Sequence, residues 1–250
     1  MQELAARKVD IVKIWVDDRD NKFKKLTPDL YGAIIDEAHK NGTRVTAHIY
    51  ELSDAKGLVK AGLDAFAHGV RDRDIDQEFV SLITSKPDII LVPNLPSPGV
   101  PVDLSLAADT VLPGELQKLQ AEASKADPEA QKLFGIQARN LAKLAAAGVK
   151  IGAGTDGNTP YGMHLEMADM VRAGMTPAQV LVAATRNNAE LMKLSDLGTV
   201  EAGKSADFVV LDANPLDDIT NTRRINAVYM RGTAVDRAGL RTKFMGRGTN

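Results

Sequence analysis

Four polar side chains stand where packing alone would favour an apolar one: Lys13, His48, His68 and Asp156. Lys13 is flanked by Val12 and Ile14, and alternation places it on one strand face with Ile11 and Trp15. A lysine turned into a barrel would be driven toward its neutral form by desolvation. It would then act as a Schiff-base nucleophile, as a general base, or, after reaction with carbon dioxide, as a carbamate able to bridge two metals. A surface lysine laying its stem on apolar neighbours is the plainer alternative. His48 lies in RVTAHIY and His68 closes DAFAH, one strand–helix–strand step later. Two imidazoles on adjacent strand ends suit one Zn²⁺, whereas a single such histidine is more often a satisfied core residue. Asp156 follows GVKIGAGT, where an apolar run stops. Sites in β/α barrels gather at that end of the strands, although aspartate there also caps helices. Tyr50, on the face of His48, can meet a substrate oxygen or pack in the core. His164 opens the next helix, at the mouth of the site or in solvent. Asn94 lies just past a strand end. His39, beside Lys40 and Asn41 within a helix, reads as a surface residue.

The elements that must position these groups recur with a regular period. Strands are expected at Val9–Val16, Arg44–Tyr50, Asp64–Val70, Asp88–Pro93 and in GVKIGAGTDG, Gly148–Gly157. Helices are expected between them, at Thr27–Asn41, Ser53–Ala61, Asp74–Thr84 and Glu115–Ala147, the last broken near Asp127 and Pro128. Thr27 caps the first, Pro28 opens it, Gly42 closes it, and Leu30, Ile34 and Ala38 form its buried stripe. Asn94–Val111 is a long irregular stretch, the kind that forms lids or insertions. Helices at His164–Ala173, Thr176–Ala184 and Asn187–Lys193 follow. Alternation of strand and helix predicts an α/β fold with parallel strands and crossover helices. From Gly198 short strands separated by turns predict a small β-module instead.

Net charge is −2, with 26% charged residues, so no electrostatic pull toward nucleic acid or an anionic membrane is present. A hydrophobic fraction of 44% provides a core without any run long enough to span a membrane. Cysteine is absent, which removes disulfides and thiolate chemistry and leaves metal binding to His, carboxylate or a modified Lys. Gln2 to Arg7 reads as the last turns of a helix whose beginning is missing, so the chain is expected to be a fragment. A cytoplasmic location is expected, with an export signal left open for the same reason.

The order Lys, His, His, Asp on successive strands resembles the amidohydrolase superfamily. The run HLEMADMVRAGMTPAQVLVAATRNNAELMKLSDLGTVEAGKSADFVVLDANPL, His164 to Leu216, is similar to the carboxyl-terminal signature of its imidazolonepropionase-like and Xaa-Pro dipeptidase branch. The GTVEAGKSADFVVLD segment is its most specific part. The resemblance covers nearly the whole chain. It implies a partial (β/α)8 TIM barrel, about strands four to eight, over residues 1–195. Residues 196–250 would be the carboxyl-terminal part of a small β-sandwich. It also implies that carboxylated Lys13 bridges two metals, that His48 and His68 bind the more exposed one, and that Asp156 binds the buried one and accepts a proton. The family's first strand carries a His-x-His pair, and no two of His39, His48, His68 and His164 are so spaced. Barrel strands one to three are therefore expected to be missing.

The implied activity is hydrolysis of a C–N bond, in an amide, an Xaa-Pro peptide, a cyclic amide, a urea or a carbamate, by a metal-activated hydroxide. Ester hydrolysis also remains open. One or two Zn²⁺, or other divalent ions, and carbon dioxide on Lys13 are the expected cofactors. Tyr50, His164 and Asn94 are the expected substrate contacts. The partner is a small-molecule substrate, with a homo-oligomer expected at full length. The chain alone is expected to be inactive and weakly stable or prone to associate, since an open sheet section leaves two edges unpaired. A Schiff-base barrel lyase or aldolase using Lys13 and an inactive binding or scaffold protein are the rival readings.

Overall fold

The computed structural model describes residues 1–246. A short helix α1 (Gln2–Ala6) leads into β1 (Ile11–Val16), α2 (Pro28–Lys40), β2 (Arg44–Ile49), α3 (Leu52–Lys60), β3 (Ala65–Ala67), α4 (Gln77–Thr84) and β4 (Ile90–Val92). After a loop containing a 3-10 turn (Ser105–Ala107) come α5 (Pro113–Ala123), α6 (Pro128–Ala146) and β5 (Lys150–Ile151). The helix α7 (Gly162–Arg172) follows, then α8 (Pro177–Val182), a π turn (Ala183–Asn187) and α9 (Asn188–Leu191). The chain ends in β6 (Phe208–Leu211), a 3-10 turn (Ile219–Arg223), β7 (Ile225–Met230), β8 (Thr233–Ala234) and α10 (Arg237–Gly246).

Strands β1 to β5 form one parallel sheet in sequential order, the arrangement of an arc of a β/α barrel. The register explains its stability. Ile14, Ala47, Phe66, Leu91 and Ile151 are paired in one row across the five strands, and all are buried beneath the helices. Val12, Val16, Val45 and Ile49 extend this face. The opposite, concave face carries Lys13, Trp15, Thr46 and His48 in neighbouring register. Alternation along each strand thus separates packing from chemistry. Strand β1 shows it directly, with Val12, Ile14 and Val16 buried while Lys13 and Trp15 are exposed.

Two local expectations are corrected. The buried stripe of α2 is Tyr31, Ile35 and Ala38, and Leu30 is 51% exposed. The helix is turned because the Tyr31 hydroxyl lies against Gly57 of α3, in space that any β-carbon at Gly57 would fill. The second correction is at the start of α4, which begins at Gln77 with Asp76 as its cap, accepting from the Phe79 amide at 2.9 Å. Thr27 holds the N-cap position of α2 but makes no side-chain cap bond. Thr176, by contrast, forms a capping box with Gln179.

Strands β6, β7 and β8 form a separate antiparallel sheet. Ile219, in the turn between β6 and β7, reaches into the main core. No helix of the described residues is long and apolar enough to cross a membrane.

Candidate active site

The concave face at the carboxyl ends of β1 to β5 gathers His48, His68, Asn94 and Asp156. His48 is on the strand face predicted for it and is 4% exposed. Its ring stacks on Trp15 at 3.6 Å between centroids, as expected for paired positions on parallel strands. His68 does not follow from alternation. Phe66 faces the helices, so a regular strand would send His68 the same way. The strand instead stops at Ala67, and His68 has φ +143°, a conformation that side chains rarely adopt. The turned residue sets its ring edge-on to His48, with centroids 4.6 Å apart.

Asp17 was not anticipated. Its Oδ2 lies 3.0 Å from His48 Nε2, and its Oδ1 accepts the Arg19 amide at 2.8 Å. Burial alone would raise the Asp17 pKa, but the Arg19 amide and His48 outweigh it and hold the carboxyl below its ordinary range. The ionised carboxylate accepts from His48 Nε2–H, which leaves the Nδ1 lone pair free. That Nδ1 is buried and has no hydrogen-bond partner, and the same is true of His68 Nε2. The sequence signal for Asp17 was its position: four residues after Lys13, it continues the concave face of β1.

Both imidazoles are held neutral. His48 is shifted down by burial, with Arg71 and Lys13 acting in the same direction against Asp17. His68 is pushed down to about 3 by burial and then by the charges of Arg71, His48 and Lys13. Neutral imidazole nitrogens are the form that binds metals. The donor chemistry therefore fits a divalent cation at His48 Nδ1, and at His68 Nε2 in the tautomer that carries its proton on Nδ1, which requires the Asn94 Nδ2 now facing Nδ1 to turn away. In number the donors fall short: no group of three His, Cys, Asp or Glu side chains among the described residues converges to hold an ion.

Asp156 is 66% exposed on its side chain, with Oδ2 3.9 Å from His68 Nε2. It caps no helix, because α7 starts at Gly162 with Tyr161 in the N-cap position. Asn94, with φ +44°, ties the two together. Its Oδ1 accepts the Asp156 amide at 2.8 Å, and its Nδ2 sits 3.4 Å from His68 Nδ1. Asn94 thus positions protein groups. Lys13 stands exposed on the open concave face, paired in register with Thr46. Tyr50 lies just beyond β2, half exposed, and its carbonyl accepts the Arg71 amide at 2.9 Å. His164 is not brought into this group. Its Nδ1 lies 3.1 Å from Thr222 Oγ1, whose hydroxyl donates to the Ile219 carbonyl, so His164 donates and links α7 to the carboxyl-terminal turn.

The loop after β5 is set by two residues that sequence reading passed over. Asn188 grips the backbone of Ala153, donating to its carbonyl at 2.7 Å and accepting its amide at 3.0 Å. Asn187 donates to the Ile151 carbonyl at 2.7 Å. Gly152 has no side chain because Asn188 Oδ1 and Val92 occupy that space. Its small size serves this clamp.

Beyond Asp156 a cavity of about 970 Å³ opens under the Asn94–Leu104 loop, lined also by Tyr161, Glu166, Asp169 and Arg223. Glu166 is buried on α7 and accepts the Leu95 amide at 3.1 Å. Burial pushes its pKa up to about 8, despite that hydrogen bond. The folded chain therefore holds a proton that the unfolded chain releases above about pH 4.5. Stability is expected to fall as pH rises from about 4.5 to about 8. Glu166→Gln should flatten that slope in denaturant titrations across this range, and an unchanged slope would assign it to other groups.

A sequence model of the amidohydrolase family matches residues 18–235. An imidazolonepropionase of Deinococcus radiodurans is 30% identical over 184 residues, covering 67% of this chain and 42% of that protein. The ochratoxinase of Aspergillus niger is 25% identical over 205 residues, 81% of this chain and 39% of the relative. Its crystal structure superposes with a TM-score of 0.66 over 92% of this chain and 51% of that one. A Xaa-Pro dipeptidase with bound methionine shares the fold at 23% identity and a TM-score of 0.69, over 94% of this chain and 56% of its own. The chain thus spans less than half the length of the sequence relatives it matches.

Proposed function

Because this chain belongs to the amidohydrolase family, we propose that it carries part of the active site of a metal-dependent hydrolase that cleaves a C–N bond in a small molecule. The observation that supports this most is the pair of buried, unpartnered nitrogens, His48 Nδ1 and His68 Nε2. Buried polar atoms are almost always paired, so two orphans in rings 4.6 Å apart are consistent with a missing ligand. On this reading they would hold a divalent cation, Zn²⁺ in the first instance, and Lys13, once carboxylated, would supply further oxygen ligands. Bound metal lowers the pKa of water from about 15.7 toward about 7 and polarises a carbonyl.

The chain's own residues do the remaining work. Asp17 holds His48 in the tautomer that frees Nδ1. Asn94 holds the Asp156 backbone beside His68. Asp156, exposed and adjacent, takes a proton from the nucleophile and passes it to the leaving nitrogen. Tyr50 orients the substrate beside them. The same reading divides the chain into a barrel part, 1–195, and a β-sandwich part, 196–250, in a cytoplasmic homo-oligomer.

The complete natural protein should hydrolyse amide or carbamate substrates, lose activity to a chelator and regain it with Zn²⁺. Hydrolysis indifferent to chelation would sink the metal reading. Asp17→Asn tests the support of His48. Loss of a carboxylate behind a ligating histidine costs about 10–100-fold in metal affinity. Zinc retention in competition with a chromogenic chelator should fall by that factor, while the melting temperature stays near that of the parent.

A further inference from the structure

Asp156 is placed by its backbone. Its side chain is 66% exposed, and no hydrogen bond among the described residues holds its carboxylate. The chain reaches it from β5, a strand of two residues at the edge of the sheet. Edge segments with few ladder bonds are the first to open, so this one needs support from elsewhere.

That support comes from the π turn and α9. Backbone groups alternate in direction along a strand. Gly152 faces β4, where its amide donates to the Leu91 carbonyl at 2.8 Å, and Ile151 and Ala153 face the open edge. There Asn187 donates to the Ile151 carbonyl at 2.7 Å, and Asn188 holds both the carbonyl and the amide of Ala153, at 2.7 and 3.0 Å. Two consecutive side chains thus stand in for a neighbouring strand. A regular α-helix turns adjacent side chains roughly 100° apart. The extra residue of the π turn, Ala183–Asn187, sets both asparagines against the same strand, and such turns recur at functional sites. The Lys150–Glu190 ion pair runs beside them. Gly152 leaves the room required, since a β-carbon there would come 2.8 Å from Asn188 Oδ1. Asn94, just past β4, accepts the Asp156 amide at 2.8 Å. Ala153 and Asp156 are therefore held from two different elements, with only Gly154 and Thr155 between them.

We propose that Asn188 is a positioning residue for Asp156: by clamping Ala153 it fixes the backbone from which an otherwise unsupported carboxylate projects beside His68. This deepens the hydrolase reading above, on which the role of Asp156 in proton transfer rests. Asn188 touches no reacting atom. Its removal lets the loop move, and a displaced carboxylate slows the reaction without weakening substrate binding.

The test reads the clamp separately from turnover. In hydrogen–deuterium exchange of the complete natural protein, residues 152–157 should exchange at least about tenfold faster in Asn188→Ala than in the parent. Thr176→Ala, which removes the capping box of α8, should lower the melting temperature without that acceleration. Asn188→Asp keeps an acceptor for the Ala153 amide and loses the donor, so it should fall between parent and alanine, and it serves if alanine fails to fold. With the amide or carbamate that the parent hydrolyses, Asn188→Ala should lower kcat by about 10–100-fold and leave KM nearly unchanged. Combined with Asp156→Asn, it should lose no more than Asp156→Asn alone. Unchanged exchange at 152–157, equal acceleration in Thr176→Ala, or additive losses in the double variant would each overturn the proposal. Faster exchange in Asn188→Ala together with full turnover in Asp156→Asn would refute the proton-acceptor reading and leave the clamp standing. A parent that hydrolyses nothing would count against the hydrolase reading, and the exchange rates would then decide the clamp.

Discussion

His68→Ala is expected to remove bound zinc from the complete natural protein and to lower kcat/KM by at least about a hundredfold, the scale of losing one transition-state contact. Three features converge on this residue. Its Nε2 is buried and unpartnered, its ring lies 4.6 Å from that of His48, and its Nε2 lies 3.9 Å from the Asp156 carboxylate. With its pKa near 3, the imidazole remains a neutral donor throughout the physiological range. A smaller side chain would remove that nitrogen and would release Asn94 from its contact. Alanine is also strained at φ +143°, so a poor fold could imitate a lost ligand. His68→Asn, which tolerates positive φ better, separates the two causes. Both variants should lose metal by elemental analysis, and His68→Asn should keep a melting temperature near the parent's. Full zinc content and full turnover in His68→Asn would remove His68 from the site.

Phe66→Ala is expected to be the most destabilising single change in the sheet, at about 3–5 kcal/mol. Phe66 is completely buried, at 0% exposure, in the middle strand of five. It is flanked in register by Ala47 on one side and Leu91 on the other, and meets Phe79 of α4 edge to face at 6.4 Å. Ala47 is small because Phe66 fills the row beside it, so truncating Phe66 leaves two small residues side by side and nothing to close the gap. For a chain of this size the loss corresponds to a fall in melting temperature on the order of 10 °C. Phe66→Leu should recover most of it. A loss for Phe66→Ala under about 1 kcal/mol in urea titration would show that the sheet and α4 repack freely.

Much of the fold was legible because its periodicities are local. All five parallel strands, the break in the long helix at Asp127 and Pro128, and the change of texture after Gly198 are written in short windows of apolar spacing and turn residues. The conformation at His68 was not, since DAFAH reads as plain alternation and nothing in it announces a positive φ. The rotation of α2 was hidden for a related reason: its cause, Gly57, lies on another helix.

The amino-acid sequence by itself determined which residues are available for chemistry: two strand-end histidines, a lysine among β-branched neighbours, an aspartate after an apolar strand and no cysteine. Tertiary structure alone decided how they combine. It put Asp17 behind His48 and left two imidazole nitrogens unpaired. It gave Asn94 to Asp156 and sent His164 to Thr222. It also left the Arg71 Nε without a hydrogen-bond partner. The physical reason is that residue type and spacing specify which face of an element is polar. Hydrogen-bond partners and unpaired charges depend on distances between elements, and those exist only once the sheet has packed against its helices.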